Sequence, residues 1–344
     1  MKILLFRFSA LGDVALTVPV VESLARQYPN DEFVVVSRPF VAPLFANLGD
    51  NLSFRGVNLN AYKGLRGLLC LANELRRETK ADAVADLHDV LRTQVLRTLL
   101  RLMGLRVATI DKGRKEKHRL VSGEDRHALK HVTMRYAEVL DKLGRKVEVN
   151  FQKLNVLPLC AKPKQAQWVG VAPFAAHRGK IYPPAQMYQA VAMLLERHPM
   201  LEVFLFGSRD EMENIRSLWM KPRLRFVCDE VKGLGDELRL MGQLDAMVSM
   251  DSANLHLASL VKIPVVSLWG ATHPYAGFTG YGQAAEDALQ VDLPCRPCSI
   301  YGNRPCVFGD YRCLTNIAPQ DIVRAVERHL FTEDHVRMEE NEKE

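Results

Sequence analysis

The residues best placed for chemistry sit where an apolar run gives way to an amphipathic one. Near the start, "KILLFRF" leads into "SALGD" and then into the helical pattern of Val14 to Tyr28, so a lone carboxylate, Asp13, falls at a strand-to-helix junction. Parallel sheets hold their ligands at such junctions, along the carboxyl edge of the strands. "VAPFAAHRGKIYPPAQ" sets Lys180 in a second junction loop. "SMDSANLHLASL" makes a third, with Asp251, Ser252, Asn254 and His256 at or beside the helix start. Free N–H groups and the positive dipole end of a helix form an anion site, and His256 would add one more donor. Asp251 or Ser252 could instead simply cap the helix, and a lone loop lysine is usually solvated. Both loops nevertheless fall on one rim of the same sheet. That shared rim makes them a candidate phosphate site.

A second constellation is "CRPCSIYGNRPCVFGDYRC", which spaces Cys295, Cys298, Cys306 and Cys313 as C-x2-C-x7-C-x6-C. Four thiolates with one C-x-x-C pair could close a tetrahedral structural zinc site with no open position for substrate. Reduced free thiols and disulfides are the alternatives, and a reducing compartment favours the former. Cys70, Cys160 and Cys228 stand alone and read as ordinary thiols.

These residues need a frame, and the pattern supplies one. Strand and helix alternate throughout. "KILLFRF", "EFVVVSR", "DAVADLH" and "RVATID" read as strands of the first half, with helices at Val14–Tyr28, Leu65–Thr79, Val90–Met103 and Val132–Leu143. A Pro/Lys/Gln-rich break, "NVLPLCAKPKQAQ", separates them from "WVGVAPF", "EVFLFGS", "RFVCD", "DAMVSMDS" and "PVVSLWG". The second half's helices are expected at Pro184–Arg197, Glu211–Trp219, Leu234–Gly242 and Asn254–Leu260. The alternation predicts two Rossmann-like α/β domains, 1–158 and 166–318, whose parallel sheets face each other across a cleft. A closing helix, 319–332, and a disordered acidic tail, 333–344, follow.

With 344 residues, 48% hydrophobic and 25% charged, the composition is that of a globular protein of two domains. No apolar run reaches the ~18 residues of a membrane span, and the first residues lack a secretory pattern. A cytoplasmic protein is expected. The net charge of +6 is concentrated: residues 1–150 carry 25 Lys and Arg against 17 Asp and Glu, and the remainder 21 against 23. The excess gathers in "DKGRKEKHRL" and around Arg97, Arg101 and Arg106. Such a patch suits an anionic partner or a solvated loop. No nucleic-acid signature accompanies it, so no nucleic-acid partner is expected. A dinucleotide fingerprint, a P-loop and a D-x-D pair are likewise missing, so cationic side chains and helix ends would have to hold any phosphate.

Taken together, "RFSALGDVALTVPVVESLARQYP", "HRGKIYPPAQMYQAV" and "SMDSANLHLASLVKIPVVSLWGATHPYAGFTGYG" resemble the bacterial heptosyltransferases of glycosyltransferase family 9, in the right order over nearly the whole chain. The resemblance implies the GT-B architecture, acceptor on the first domain and nucleotide sugar on the second. It also implies inverting, metal-independent transfer of heptose from an ADP-sugar to the lipopolysaccharide inner core, with no cofactor required. Asp13 matches the family's general base, Lys180 its diphosphate lysine, and Asp251 and His256 the acid and histidine around the nucleotide. Where the family more often reads D-T-G-x-x-H, this chain has Ser252-Ala253-Asn254. Gly207 with Asp210 or Glu211, in "FGSRDE", are candidates for the ribose. Arg92, Lys112, Arg114, Lys115 and Arg119 are candidates for the anionic core acceptor. A transient encounter with the inner-membrane surface follows from that acceptor.

The chemistry is consistent with those assignments. An inverting transfer needs one base for the attacking hydroxyl and fixed donors for the departing diphosphate. Two other classes stay open: another nucleotide-sugar enzyme of the same fold, such as an epimerase, and a nucleotide-binding protein without transfer. Acceptor-independent turnover would mark the first, and binding without turnover the second.

Overall fold

The computed structural model describes residues 1–159 and 164–331. The chain divides into two compact units, Met1–Arg114 with Lys130–Asn155, and Lys115–Leu129 with the chain from Val156 onward. The first holds β1 (Lys2–Phe6), β2 (Glu32–Ser37), β3 (Leu52–Gly56), β4 (Ala83–Asp86) and β5 (Arg106–Thr109) in one sheet of order β3-β2-β1-β4-β5. The second holds β6 (Gln167–Ala172), β7 (Leu201–Leu205), β8 (Leu224–Phe226), β9 (Ala246–Met250), β10 (Val265–Trp269) and β11 (Ala288–Gln290), ordered β11-β10-β9-β6-β7-β8. Every pairing is parallel.

Parallel sheets are covered by helices on both faces, which is why their strands read as continuous apolar runs. Ile3, Leu4, Leu5 and Phe6 of β1 are all buried. Leu4, Phe6, Val34, Val36 and Val84 pack with Leu71, Leu75, Leu96 and Leu100 of the helices Gly64–Thr79 and Leu91–Leu102. In the second unit Val169, Val203, Val248 and Val266 pack with Leu194 and Val326 of the helices Pro184–Arg197 and Pro319–Leu330. Each such side chain contributes about 1.5–3 kcal/mol relative to exposure. Among the described residues no helix is long and apolar enough to cross a membrane.

The strand orders position the sites. β1 has β2 on one side and β4 on the other, and β6 likewise lies between β7 and β9. The connections leave the central strand in opposite directions, which opens a crevice at its carboxyl end. In the first unit that crevice lies between the loops after β1 and β4. In the second it lies between the loops after β6 and β9.

Several elements differ from expectation. The first helix is two pieces, Leu11–Ala15 and Val18–Gln27, and the second starts around Pro19, whose ring suits a first helical turn. β3 and β11 were not anticipated, being short edge strands. "RFVCD" is half strand and half helical turn, Leu224–Phe226 then Val227–Glu230. The basic stretch expected as a first-domain loop is the helix Arg114–Ser122, and from Lys115 to Leu129 it belongs with the second unit. The Lys117 ammonium lies 4.3 Å from the Phe278 ring centroid. The Leu129 N–H donates to the Tyr275 carbonyl at 2.8 Å, and Arg126 donates to the Pro294 carbonyl at 2.9 Å. The expected tail 333–344, Cys160 and part of the expected linker lie outside the described residues.

Candidate active site

In the first crevice Asp13 sits on the short helix after β1 and pairs with Arg7 Nη2. Arg7 is anchored from behind, donating through Nη1 to the Leu87 carbonyl at 2.7 Å. The pair has a direction: the Arg7 side chain is 10% exposed and the Asp13 side chain 29%. Asp13 also accepts the Ala10 N–H at 3.3 Å, a helix-start bond, and its carbonyl accepts from the Tyr136 hydroxyl at 3.3 Å. So capping and an outward-facing carboxylate coexist in one residue.

Across the crevice, the loop after β4 brings in His88, 8% exposed, with Nε2 3.3 Å from Ser9 Oγ. Burial pushes its imidazole down to about 4, and the Arg7 charge acts in the same direction. His88 is therefore neutral at physiological pH. Beneath it the fully buried Asp86 accepts the His88 and Asp89 N–H groups at 3.0 and 2.9 Å and Arg97 at 2.7 Å. Removing one partner of such a buried pair is costly because it strands the other charge. Arg97 also bonds Asp89 at 2.9 Å, so it is a structural cation rather than part of a free basic patch. Arg7, Asp86 and His88 were not singled out from the sequence. The signal was "DLHD", three polar residues at the carboxyl end of the third strand pattern of the first half.

In the second crevice Lys180, at the end of a single helical turn after β6, lies 2.8 Å from Asp251 Oδ2 at the end of β9. Here the direction is reversed, with Lys180 17% exposed and Asp251 6%. The helix Ala253–Leu260 starts beside them with Asn254 and the buried His256 in its first turns. Ser252 is its N-cap residue yet makes no side-chain capping bond, its hydroxyl lying 3.4 Å from Ser249 Oγ. Asp251 is committed to Lys180. Ser252 thus leaves the helix start without an N-cap side-chain bond, and with no acid in that turn the helix end keeps its attraction for an anion.

Residues 69–308, more than half of the chain, match the model of "Glycosyltransferase family 9 (heptosyltransferase)". The chain belongs to glycosyltransferase family 9. It is 24% identical to lipopolysaccharide heptosyltransferase 1 of Pseudomonas aeruginosa over 98% of this chain and 100% of that protein. Its fold is similar to that of E. coli ADP-heptose lps heptosyltransferase II, with a TM-score of 0.72, 18% identity and coverage of 97% and 100%. It is also similar to E. coli heptosyltransferase WaaC with ADP, with a TM-score of 0.65, 17% identity and coverage of 96% and 100%. Both units have the mixed α/β, parallel-sheet construction of these GT-B structures.

The remaining candidates of this family 9 chain are placed as follows. Gly207 follows β7, and a side chain there would strike Met212 at 2.4 Å. Glu211 closes a capping box with Ser208, accepting its N–H and hydroxyl at 2.9 Å each, so its carboxylate is occupied; Asp210 is exposed on the same turn. Lys112 donates to the Asp89 carbonyl at 2.8 Å beside the first crevice, and Arg114 reaches Asp89 at 3.5 Å. Arg92 is exposed on the helix Leu91–Leu102. Lys115 and Arg119 are exposed and belong with the second unit, so the five basic residues are not one first-domain group.

The four clustered cysteines come close enough together for their charges to act on one another. Cys295 is exposed, Cys298 and Cys306 half-buried and Cys313 buried, all free thiols. Cys298 Sγ faces the Ala271 carbonyl and Cys306 Sγ the Asp310 carboxylate, at 3.8 and 4.0 Å, and burial raises the Cys313 thiol to about 11. Among the described residues no group of three or more His, Cys, Asp or Glu side chains is arranged to hold a metal ion.

Proposed function

We propose that this chain transfers a heptose or related sugar from an ADP-linked donor to the inner core of lipopolysaccharide, with inversion and without a metal. The opposed polarity of its two crevices carries the reading. The first turns a carboxylate outward and holds the balancing guanidinium behind it; the second turns an ammonium outward and holds the balancing carboxylate behind it. A proton acceptor needs the first arrangement and a phosphate site the second.

In the reaction, the acceptor hydroxyl oxygen attacks the anomeric carbon while Asp13 takes its proton. The carbon–oxygen bond to the diphosphate breaks on the opposite face, and its electron pair leaves with the β-phosphate. Lys180 and the open N–H groups at the start of Ala253–Leu260 stabilise that charge, with Asn254 and His256 beside them. Arg92, Lys112 and Arg114 serve the acceptor's anionic groups in the first unit. An acceptor anchored in lipid brings the enzyme to the cytoplasmic face of the inner membrane. Whole-length similarity to lipopolysaccharide heptosyltransferase 1, and to WaaC solved with ADP, supports this choice of substrates.

A ligand bound only by the native state raises the melting temperature according to its affinity. In the presence of EDTA, ADP is expected to raise it more than equal concentrations of UDP or GDP. Equal protection by UDP would overturn the ADP donor, and a strict need for Mg²⁺ would overturn metal-free binding.

A further inference from the structure

The cysteine-bearing segment after β11 packs on the Lys180 loop through three glycines. The Gly179 carbonyl accepts the Ala271 N–H at 2.8 Å, and the Ala271 carbonyl accepts the Cys298 and Ser299 N–H groups at 3.1 and 3.2 Å. Buried Arg296 fastens the segment from below, donating to the Gly270, Trp269, Thr272 and Val291 carbonyls at 2.5 to 3.1 Å. A Cβ on Gly179 would lie 2.8 Å from the Gly302 carbonyl, and one on Gly270 would lie 2.5 Å from the Gly179 carbonyl. Gly302 itself has φ +71°, and a Cβ there would come within 2.6 Å of Lys180 Cγ and 3.3 Å of its Cδ and Cε. The missing Cβ of Gly302 thus leaves the room that the lysine stem occupies.

We propose that Gly302 is a positioning residue for Lys180: its missing side chain opens the path along which the stem keeps the ammonium against Asp251 and facing the donor phosphates. A lysine has four rotatable bonds, and freezing them on ligand binding costs affinity. A stem set on its path beforehand is spared part of that cost. The inference rests on the reading of Lys180 as the diphosphate lysine.

The segment contains its own control. Gly309 has φ +75°, but a Cβ there meets nothing within 4 Å. Gly302→Ala and Gly309→Ala therefore impose the same backbone strain, and only the first disturbs Lys180. Calorimetric titration with ADP should show Gly302→Ala binding roughly tenfold more weakly and Gly309→Ala within about twofold of the parent. In the Lys180→Ala background, Gly302→Ala should cost no more than about a further twofold, because contacting residues are not additive. Full additivity, an equal loss in Gly309→Ala, or parent-like binding by Gly302→Ala would overturn the proposal. A second readout needs no nucleotide. Acetylation of Lys180 by a small acylating reagent, followed by peptide mass spectrometry, should be severalfold faster in Gly302→Ala and unchanged in Gly309→Ala. A parent that fails to bind ADP would sink the donor reading, and the labelling rates would then decide the positioning role alone.

Discussion

The two crevices are built alike and charged oppositely. Each lies at the carboxyl end of a central strand, β1 or β6, and each carries an ion pair there, Arg7–Asp13 in the first and Lys180–Asp251 in the second. In the first unit the cation is the buried member, and in the second the anion is. An ion pair's net charge is zero, so its chemistry depends on which member faces outward and which is locked behind it. Arg7 is locked by the Leu87 carbonyl, whereas Asp251 is fixed at the end of a fully buried strand. The same fold unit thereby yields a proton acceptor in one place and a phosphate holder in the other.

The comparison breaks most visibly at Asp13. Asn keeps the shape, the bond from the Ala10 N–H and a contact for Arg7, but cannot take a proton. Loss of a general base typically slows a reaction ~10²–10⁴-fold. Asp13→Asn should therefore transfer sugar at least ~100-fold more slowly in single-turnover assays with a truncated lipopolysaccharide acceptor. ADP affinity and melting temperature should stay close to the parent's. Near-normal turnover would return Asp13 to a helix cap and end the contrast between the crevices.

A middle-sized effect tests what holds the first crevice in place. Its imidazole is uncharged, whereas the second crevice turns an ammonium outward. An unfolded histidine titrates near ~6.5, while His88 in the fold titrates at about 4. Between those values the unfolded chain binds the extra proton and the folded chain does not. This contribution is complete above pH ~6.5 and is lost as pH falls toward 4. His273, lowered to about 4 chiefly by burial, adds to the same limb. His88→Gln, which cannot titrate, should lose fewer degrees of melting temperature between pH 7 and pH 5 than the parent. An equally steep acid limb would show that His88 is not the buried neutral group described here.

Which parts were readable from sequence follows from how far apart the causes lie. Asp13, Lys180 and Asp251 each come soon after an apolar strand, so local pattern sufficed to single them out, but the Lys180–Asp251 pairing was not legible because it depends on β6 lying beside β9. His88 follows a strand just as closely, but its value depends on β4 lying beside β1, a neighbour relation set by tertiary packing. The basic residues from Lys115 on read as part of a patch for an anionic partner or of a solvated loop because charge dominates the local pattern. Their attachment to the second unit rests on Phe278, Tyr275 and Pro294, all far along the chain. The cysteine spacing was equally legible, and it does bring the four thiols close enough for their charges to act on one another. Spacing says nothing about direction, and Cys313 is turned into the core beside Leu314 and Ile317.

The smallest effect sharpens the second crevice at its edge, after β7. Sequence alone leaves Asp210 and Glu211 equal as ribose partners, and the structure separates them. Glu211 already accepts the Ser208 N–H and hydroxyl in a capping box, whereas the Asp210 carboxylate is exposed in the same first turn. A carboxylate that leaves its box must give up those bonds, worth about 1 kcal/mol together with the cap. A hydrogen bond to a ribose hydroxyl would return about the same amount, so Glu211 gains nothing by switching partners. Asp210 gives up only water. Asp210→Asn is therefore expected to weaken ADP binding by about threefold to fivefold, with the melting temperature unchanged. Glu211→Gln should lower the melting temperature slightly and leave ADP affinity within about twofold. The reverse pattern, affinity lost with Glu211 and stability lost with Asp210, would mean that the capping box opens when the nucleotide binds.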